Sequence, residues 1–151
     1  VTINDKIVMY GMSCSGKTTF AKQLSLPYIC FDALFQWHLI ELLGLSTIEN
    51  LKYIKKICDE KQSFVLDGWT LADKEGEYFP DNIWVYVVYA EYDRIVNQYR
   101  IEVTNRDEFR EMYKKWYDIV EFPRIRYFKN SGEFCETSKE EFICLVGKWK
   151  Y

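Results

Sequence analysis

A three-layer α/β domain, with a five-stranded parallel sheet and helices on both faces, is what this sequence predicts. Three observations carry the prediction. Apolar runs of strand length alternate with helical stripes along the chain, the pattern of a parallel sheet with crossover helices. A glycine-bearing loop joins the first apolar run directly to the first helical stretch. The 151 residues, 48% hydrophobic and 18% aromatic, suffice for one full core and leave no room for a second catalytic domain. Residues 1–151 therefore read as a single domain.

The elements follow in order. Lys6–Tyr10 is an unbroken apolar strand, expected to be buried on both faces. The loop Gly11–Thr18 opens a helix running to about Leu24, and Pro27 stops it. Tyr28–Phe31 is a short second strand with Asp32 at its end. Phe35–Leu43 has a helical pattern ended by Gly44, and Ser46 or Thr47 caps the next helix. That helix carries Ile48, Leu51, Ile54, Ile57 and Cys58 on one stripe and Lys52, Lys55 and Lys56 on another. Phe64–Leu66 is the third strand, followed by Asp67-Gly68-Trp69. Leu71–Pro80 reads as irregular.

Ile83–Tyr89, the most hydrophobic strand, belongs in the sheet interior. A helix over Tyr92–Ile101 is broken at Val103-Thr104-Asn105 and followed by another from Arg106 to about Val120. The second of these aligns Phe109, Met112, Tyr113, Trp116, Tyr117 and Val120. Arg124–Phe128 is the fifth strand, and Asn130-Ser131-Gly132 a turn. Ser138 with Glu141 makes a capping box for a last helix reaching about Trp149.

Composition removes several function classes. A net charge of -3 implies no broad basic surface, which argues against sequence-independent duplex binding and leaves room for a local basic pocket or groove. Cys14, Cys30, Cys58, Cys135 and Cys144 are odd in number and form no C-x-x-C pair, so they read as reduced, small apolar residues. One histidine, His38, and scattered cysteines do not make a structural zinc site. Asp5 and Lys6 lie among the first residues, no signal-peptide pattern is present, and no apolar run spans a membrane. A cytoplasmic protein with no membrane partner is the expectation.

The loop Gly11-Met12-Ser13-Cys14-Ser15-Gly16-Lys17-Thr18 satisfies G-x-x-x-x-G-K-[ST] between a strand and a helix. Its backbone N–H groups form an anion nest, and residues Gly11 to Thr19 are the candidates for binding the nucleotide's phosphates. Lys17 reaches the β- and γ-phosphates, and the Thr18 hydroxyl is a ligand for Mg²⁺. Asp32 and Asp67 both end strands, the edge where ligands bind in open α/β sheets. This is a P-loop NTPase domain by motif, and ATP is the default nucleotide, since no guanine-reading Asn-Lys-x-Asp segment is visible.

Several further segments carry a resemblance. Phe31-Asp32-Ala33-Leu34-Phe35, Leu66-Asp67-Gly68-Trp69 and Asp93-Arg94-Ile95-Val96, with the loop, make the chain similar to the adenylate-kinase-like group of nucleoside, nucleotide and small-metabolite kinases. The resemblance implies that Asp67 organises Mg²⁺ and its waters. It implies that Arg94 packs against adenine and phosphates at the start of a lid. It also implies that Arg106 and Arg110 serve the transferred phosphoryl group. The lid is reduced to residues around Glu102–Asn105, the short-lid form.

Nucleoside monophosphate kinases of this pattern place arginines where this chain has Phe35 and Thr70-Leu71-Ala72. Lys52 or Lys74 is at best a point-charge substitute. The preferred acceptor is therefore an unphosphorylated hydroxyl compound, a nucleoside, sugar or other small metabolite, with Phe35, Trp37 and Trp69 each either walling it or packing in the core.

The expected reaction moves the ATP γ-phosphate to that hydroxyl. Lys17, Asp32, Arg94, Arg106 and Arg110 act as catalytic groups, Thr18 and Asp67 as metal ligands, and Arg100, Arg124 and Arg126 are further cationic candidates. The alternatives are a nucleoside monophosphate kinase, a 5′-hydroxyl polynucleotide kinase and a non-kinase nucleotide-binding module. Asp107–Lys114 resembles the arginine-bearing helix of the polynucleotide kinases.

Overall fold

The structure is a computed structural model that describes residues 5–12, 14–33, 47–69, 71–73, 75–98, 106–119 and 122–147, with backbone only for Thr47, Ala72, Gln98 and Arg106. The expected helix over 35–43 and the break at 102–105 lie outside the described residues.

Strands β1 (Lys6–Tyr10), β2 (Tyr28–Cys30), β3 (Phe64–Asp67), β4 (Trp84–Tyr89), β5 (Ile125–Asn130) and β6 (Phe134–Thr137) form one sheet in the order β2-β3-β1-β4-β5-β6. The first five are parallel to their neighbours; β6 is antiparallel to β5. The sheet is thus mixed and six-stranded, not the purely parallel five-stranded sheet read from the sequence. The sixth strand is a short edge hairpin in which Cys135 and Glu136 are exposed, so it shows no apolar run. Register at the edge is held by Arg126, whose guanidinium donates to both Glu136 oxygens at 2.9 and 2.6 Å.

The helices are α1 (Lys17–Gln23), α2 (Thr47–Asp59), α3 (Tyr92–Gln98), α4 (Arg106–Tyr117) and α5 (Lys139–Gly147). Alternate residues of the central strands face opposite layers, as strand geometry requires. Ile7, Met9, Val65, Tyr86, Val88 and Phe128 pack on Phe20 and Ala21 of α1. Val8, Tyr10, Leu66, Val85, Val87 and Tyr89 pack in a cluster with buried residues of α2, α3, α4 and α5. Both faces are covered, which explains why β1 and β4 read as continuous apolar runs.

Where both ends are described, bounds fall within a few residues of those expected, and the expected helix ends at Ile101 and Trp149 lie outside the described residues. Phe31, placed at the end of the second strand, begins a helical turn over 31–33 instead. Leu71–Asp73 forms a 3₁₀ turn inside the segment expected to be irregular. The Ser138 cap is present, its Oγ accepting from the Glu141 amide at 3.1 Å. Among the described residues no helix is long and apolar enough to cross a membrane.

Candidate active site

The site lies at the carboxyl ends of β1, β3 and β4. Gly11 leaves β1 so close to β4 that a Cβ there would stand 2.4 Å from the Val88 carbonyl oxygen. The Ser15 amide donates to the Met12 carbonyl at 3.1 Å and closes the turn. Cys14 (φ 68) and Gly16 (φ 92) adopt left-handed backbone, which turns successive N–H groups inward as an anion nest. Gly16 is required for space as well as for φ, because a Cβ would meet Asn130 Nδ2 at 2.5 Å. The Phe20 amide donates to Gly16 O at 3.0 Å, and the N–H groups of the first helical turn before it have no intrahelical acceptor.

Asp67 ends β3, buried beside the loop. Its Oδ2 accepts from Thr18 Oγ1 at 2.7 Å and from the Tyr28 hydroxyl at 2.5 Å. Its Oδ1 is buried and has no hydrogen-bond partner among the described residues. Lys17 runs past the next residue: a Cβ on Gly68 would lie 3.6 Å from Lys17 Cε and 3.7 Å from Phe31 Cβ. Lys17, Thr18, Asp67 and Phe31 are therefore neighbours. Asp32, exposed, follows Phe31 two residues beyond β2, on the same edge of the sheet.

The donor set suits a hard divalent cation. Among the described residues there is no group of three or more His, Cys, Asp or Glu that could hold a metal ion. A hydroxyl and one carboxylate with an orphaned oxygen suit Mg²⁺, which keeps most of its waters and takes the rest of its shell from phosphates.

The predicted arginines divide. Arg94 on α3, four residues past Ala90 at the end of β4, is half-buried, and its Nε has no hydrogen-bond partner among the described residues. Arg110 on α4 lies with its Cζ 5.4 Å from the Tyr92 ring centroid, so it reaches the same end of the sheet. Arg124 precedes β5, at the opposite, amino-terminal edge. Arg126 is committed to Glu136 and donates to the Tyr86 hydroxyl at 2.8 Å. Neither lies beside the loop Gly11–Thr18. Ser13, Arg100, Phe35, Trp37, Lys74 and the Arg106 side chain lie outside the described residues.

Trp69 is a core residue rather than an exposed wall. Its ring packs 5.0 Å from Phe31 and 5.0 Å from Phe79, and its Nε1 donates to Asp73 Oδ2 at 2.9 Å. Asp73 also accepts from the Tyr78 amide at 3.0 Å. Burial nevertheless holds its carboxyl above the ordinary carboxylate range, the hydrogen bonds offsetting only part of the effect.

Three polar ties to this site were not foreseen from the sequence. The Asn130 amide donates to Ser15 O at 3.0 Å, and its Oδ1 accepts from the Gly132 amide. The Tyr117 hydroxyl donates to Val88 O at 2.9 Å and accepts from the Met12 amide at 3.2 Å. Burial pushes the Tyr117 phenol far above its usual value, so it stays protonated and can donate. The third tie is Tyr28. Its phenol is likewise raised, first by desolvation and then by the Asp67 hydrogen bond.

Loop, sheet order and metal-suited pair define a P-loop α/β domain. No protein-family model matches the sequence, and no curated protein matches it. Solved structures narrow the class. A gluconokinase from Sinorhizobium meliloti 1021 is similar over 99% of this chain and 91% of its own, at 16% identity and a TM-score of 0.54. Shikimate kinase from Aquifex aeolicus vf5 is similar over 95% and 92%, at 19% identity and 0.59. A sugar kinase from Janibacter sp. HTCC2649 is similar over 97% and 94%, at 13% identity and 0.59. The chain has the fold of P-loop small-molecule kinases.

Proposed function

We propose that this chain is a kinase that transfers the γ-phosphoryl group of ATP to a hydroxyl of a small acceptor. The observation that carries the reading is the Thr18–Asp67 hydrogen bond at 2.7 Å, with Asp67 Oδ1 left over beside the phosphate nest. A hydroxyl and a carboxylate so placed have a reason to be together when a metal–phosphate group sits against them. The neighbours in fold that act on small hydroxyl compounds support the acceptor class.

In this reading the nest Gly11–Thr19 and Lys17 hold the phosphate tail. Thr18 and Asp67 would hold Mg²⁺ directly or through its waters, and the ion would supply charge neutralisation for the phosphate tail. Asp32 orients the acceptor hydroxyl and accepts its proton. The acceptor oxygen bonds to the γ-phosphorus, the bond to the bridging oxygen breaks, and ADP leaves with that electron pair. Arg94, Arg106 and Arg110 stabilise charge on the equatorial oxygens. An acceptor without a phosphate of its own fits the absence of arginine at Phe35 and at Thr70–Ala72.

The test is ATP consumption screened across nucleosides, nucleoside monophosphates, sugars, other hydroxylated metabolites and 5′-hydroxyl oligonucleotides. Stimulation by a small unphosphorylated hydroxyl compound is expected, and Asp32→Asn should cut that turnover about 100-fold or more with ATP binding retained. Turnover indifferent to every acceptor would leave a nucleotide-binding module instead.

A further inference from the structure

Tyr28 is no part of the phosphate-loop motif, yet it bonds the carboxylate that the motif depends on. It begins β2 and stands opposite Val65; Cys30 is the residue in register with Asp67. The phenol therefore leans two residues along the strand to place its hydroxyl on Asp67 Oδ2 at 2.5 Å. Lys22 of α1 lies over the ring, its Nζ 5.4 Å from the centroid. The ring is 38% exposed, so core packing alone does not account for its position.

The consequence is geometric. Thr18 and Tyr28 donate to the same oxygen from two different elements, so Asp67 cannot rotate without breaking both bonds. The other oxygen, Oδ1, is left without a partner among the described residues. A hydroxyl that ligates a cation through its lone pair still has its proton to give, so the Thr18–Asp67 bond is compatible with a bound metal. Outer partners that orient a ligating or water-binding carboxylate commonly change metal affinity by about 10–100-fold when removed.

We propose that Tyr28 is a positioning residue for the divalent-cation site, fixing Asp67 so that Oδ1 is presented to the ion or its water; this rests on the kinase reading above. Tyr28 does not touch the reacting atoms. Its hydroxyl sets how tightly the cation is held in the nucleotide complex.

The experiment is a Mn²⁺ binding titration by electron paramagnetic resonance, with a non-hydrolysable ATP analogue, on the wild type, Tyr28→Phe and Lys22→Met. Tyr28→Phe should weaken Mn²⁺ binding by about tenfold or more. Its affinity for the analogue in excess chelator should stay at the wild-type value. Lys22→Met, which keeps the phenol, should bind Mn²⁺ as the wild type does. Unchanged Mn²⁺ binding by Tyr28→Phe overturns the inference, as does an equal loss in Lys22→Met, which would assign the effect to ring packing. Should the Phe variant not fold, paramagnetic broadening in the wild type decides. Loss of the Tyr28 ring signals on adding Mn²⁺ with the analogue supports the inference, and their persistence overturns it. A wild-type protein that takes up no Mn²⁺ with the analogue overturns the kinase reading itself.

Discussion

The side-chain amide of Asn130 donates to the backbone carbonyl of Ser15 at 3.0 Å across 115 residues of sequence. The end of β5 thereby holds the phosphate loop from the side opposite β3. Gly16 must lack a Cβ for the contact to exist, since that atom would stand 2.5 Å from the same nitrogen.

Asn130→Ala should therefore loosen the nucleotide site. It leaves a buried carbonyl without its donor, a loss of about 1–3 kcal/mol, shared between overall stability and loop shape. Nucleotide binding measured calorimetrically should weaken about tenfold, which is about 1.4 kcal/mol. An affinity equal to the wild type would show that the loop holds its shape without this tie.

In the proposed site, Thr18 separates binding of the phosphates from binding of the metal. Thr18→Ser keeps a hydroxyl for Asp67 and should retain Mg²⁺-dependent turnover within about tenfold. Thr18→Val removes it and should lower that turnover by about 100-fold or more, since the metal and the hydrogen bond to Asp67 are lost together. The measurement is turnover against Mg²⁺ concentration for both variants.

Asp73 makes a prediction about acid stability. Its folded carboxyl titrates above the unfolded value, which is about 3.9. Between those two values the folded state binds more protons than the unfolded one, so this residue's contribution falls as pH rises through the window. Asp73→Asn keeps an acceptor for Trp69 and Tyr78 and removes the buried charge. Urea unfolding at pH 4, 5.5 and 7 should show the variant's stability relative to wild type improving with pH. A relative stability that worsens with pH would contradict the assignment.

Arg126 tests the division between structural and catalytic arginines. It is held by Glu136 and Tyr86 and lies over the Tyr86 and Phe128 rings at 5.2 and 5.3 Å. Arg126→Lys should leave phosphoryl transfer at the wild-type rate and cost about 1 kcal/mol of stability or less, as expected for a largely exposed ion pair. Arg94→Lys should instead slow transfer, because a point charge does not replace a planar fork. Rates and thermal unfolding of the two variants make the comparison.

The parts of this molecule legible in sequence are those with local patterns. β1 and β4 are apolar throughout because helices cover both their faces, and α2 and α4 carry clear stripes. The phosphate loop declares itself through glycine and lysine spacing. β6 was missed because an exposed edge strand needs no apolar run, although Asn130-Ser131-Gly132 marked its turn. The ties from Tyr28, Tyr117 and Asn130 left no trace. Periodicity registers the Tyr117 ring, which packs on the core, and is blind to its hydroxyl, which bridges Met12 and Val88. Contacts that span 29 to 115 residues leave no spacing rule to read.

The ties from Tyr117 and Asn130 have a bearing on biogenesis. The side chains that make them sit late in the chain, on α4 and at the end of β5, while the loop they shape is made before them. A nascent or half-assembled polypeptide therefore has the motif but not the completed loop that the proposed function assigns to triphosphate. A ligand that recognises only the completed molecule favours it by mass action. On the proposed function, nucleotide in the surrounding medium should thus act as a pharmacological chaperone for this chain, its protection against thermal loss growing with the logarithm of its concentration once that exceeds the dissociation constant.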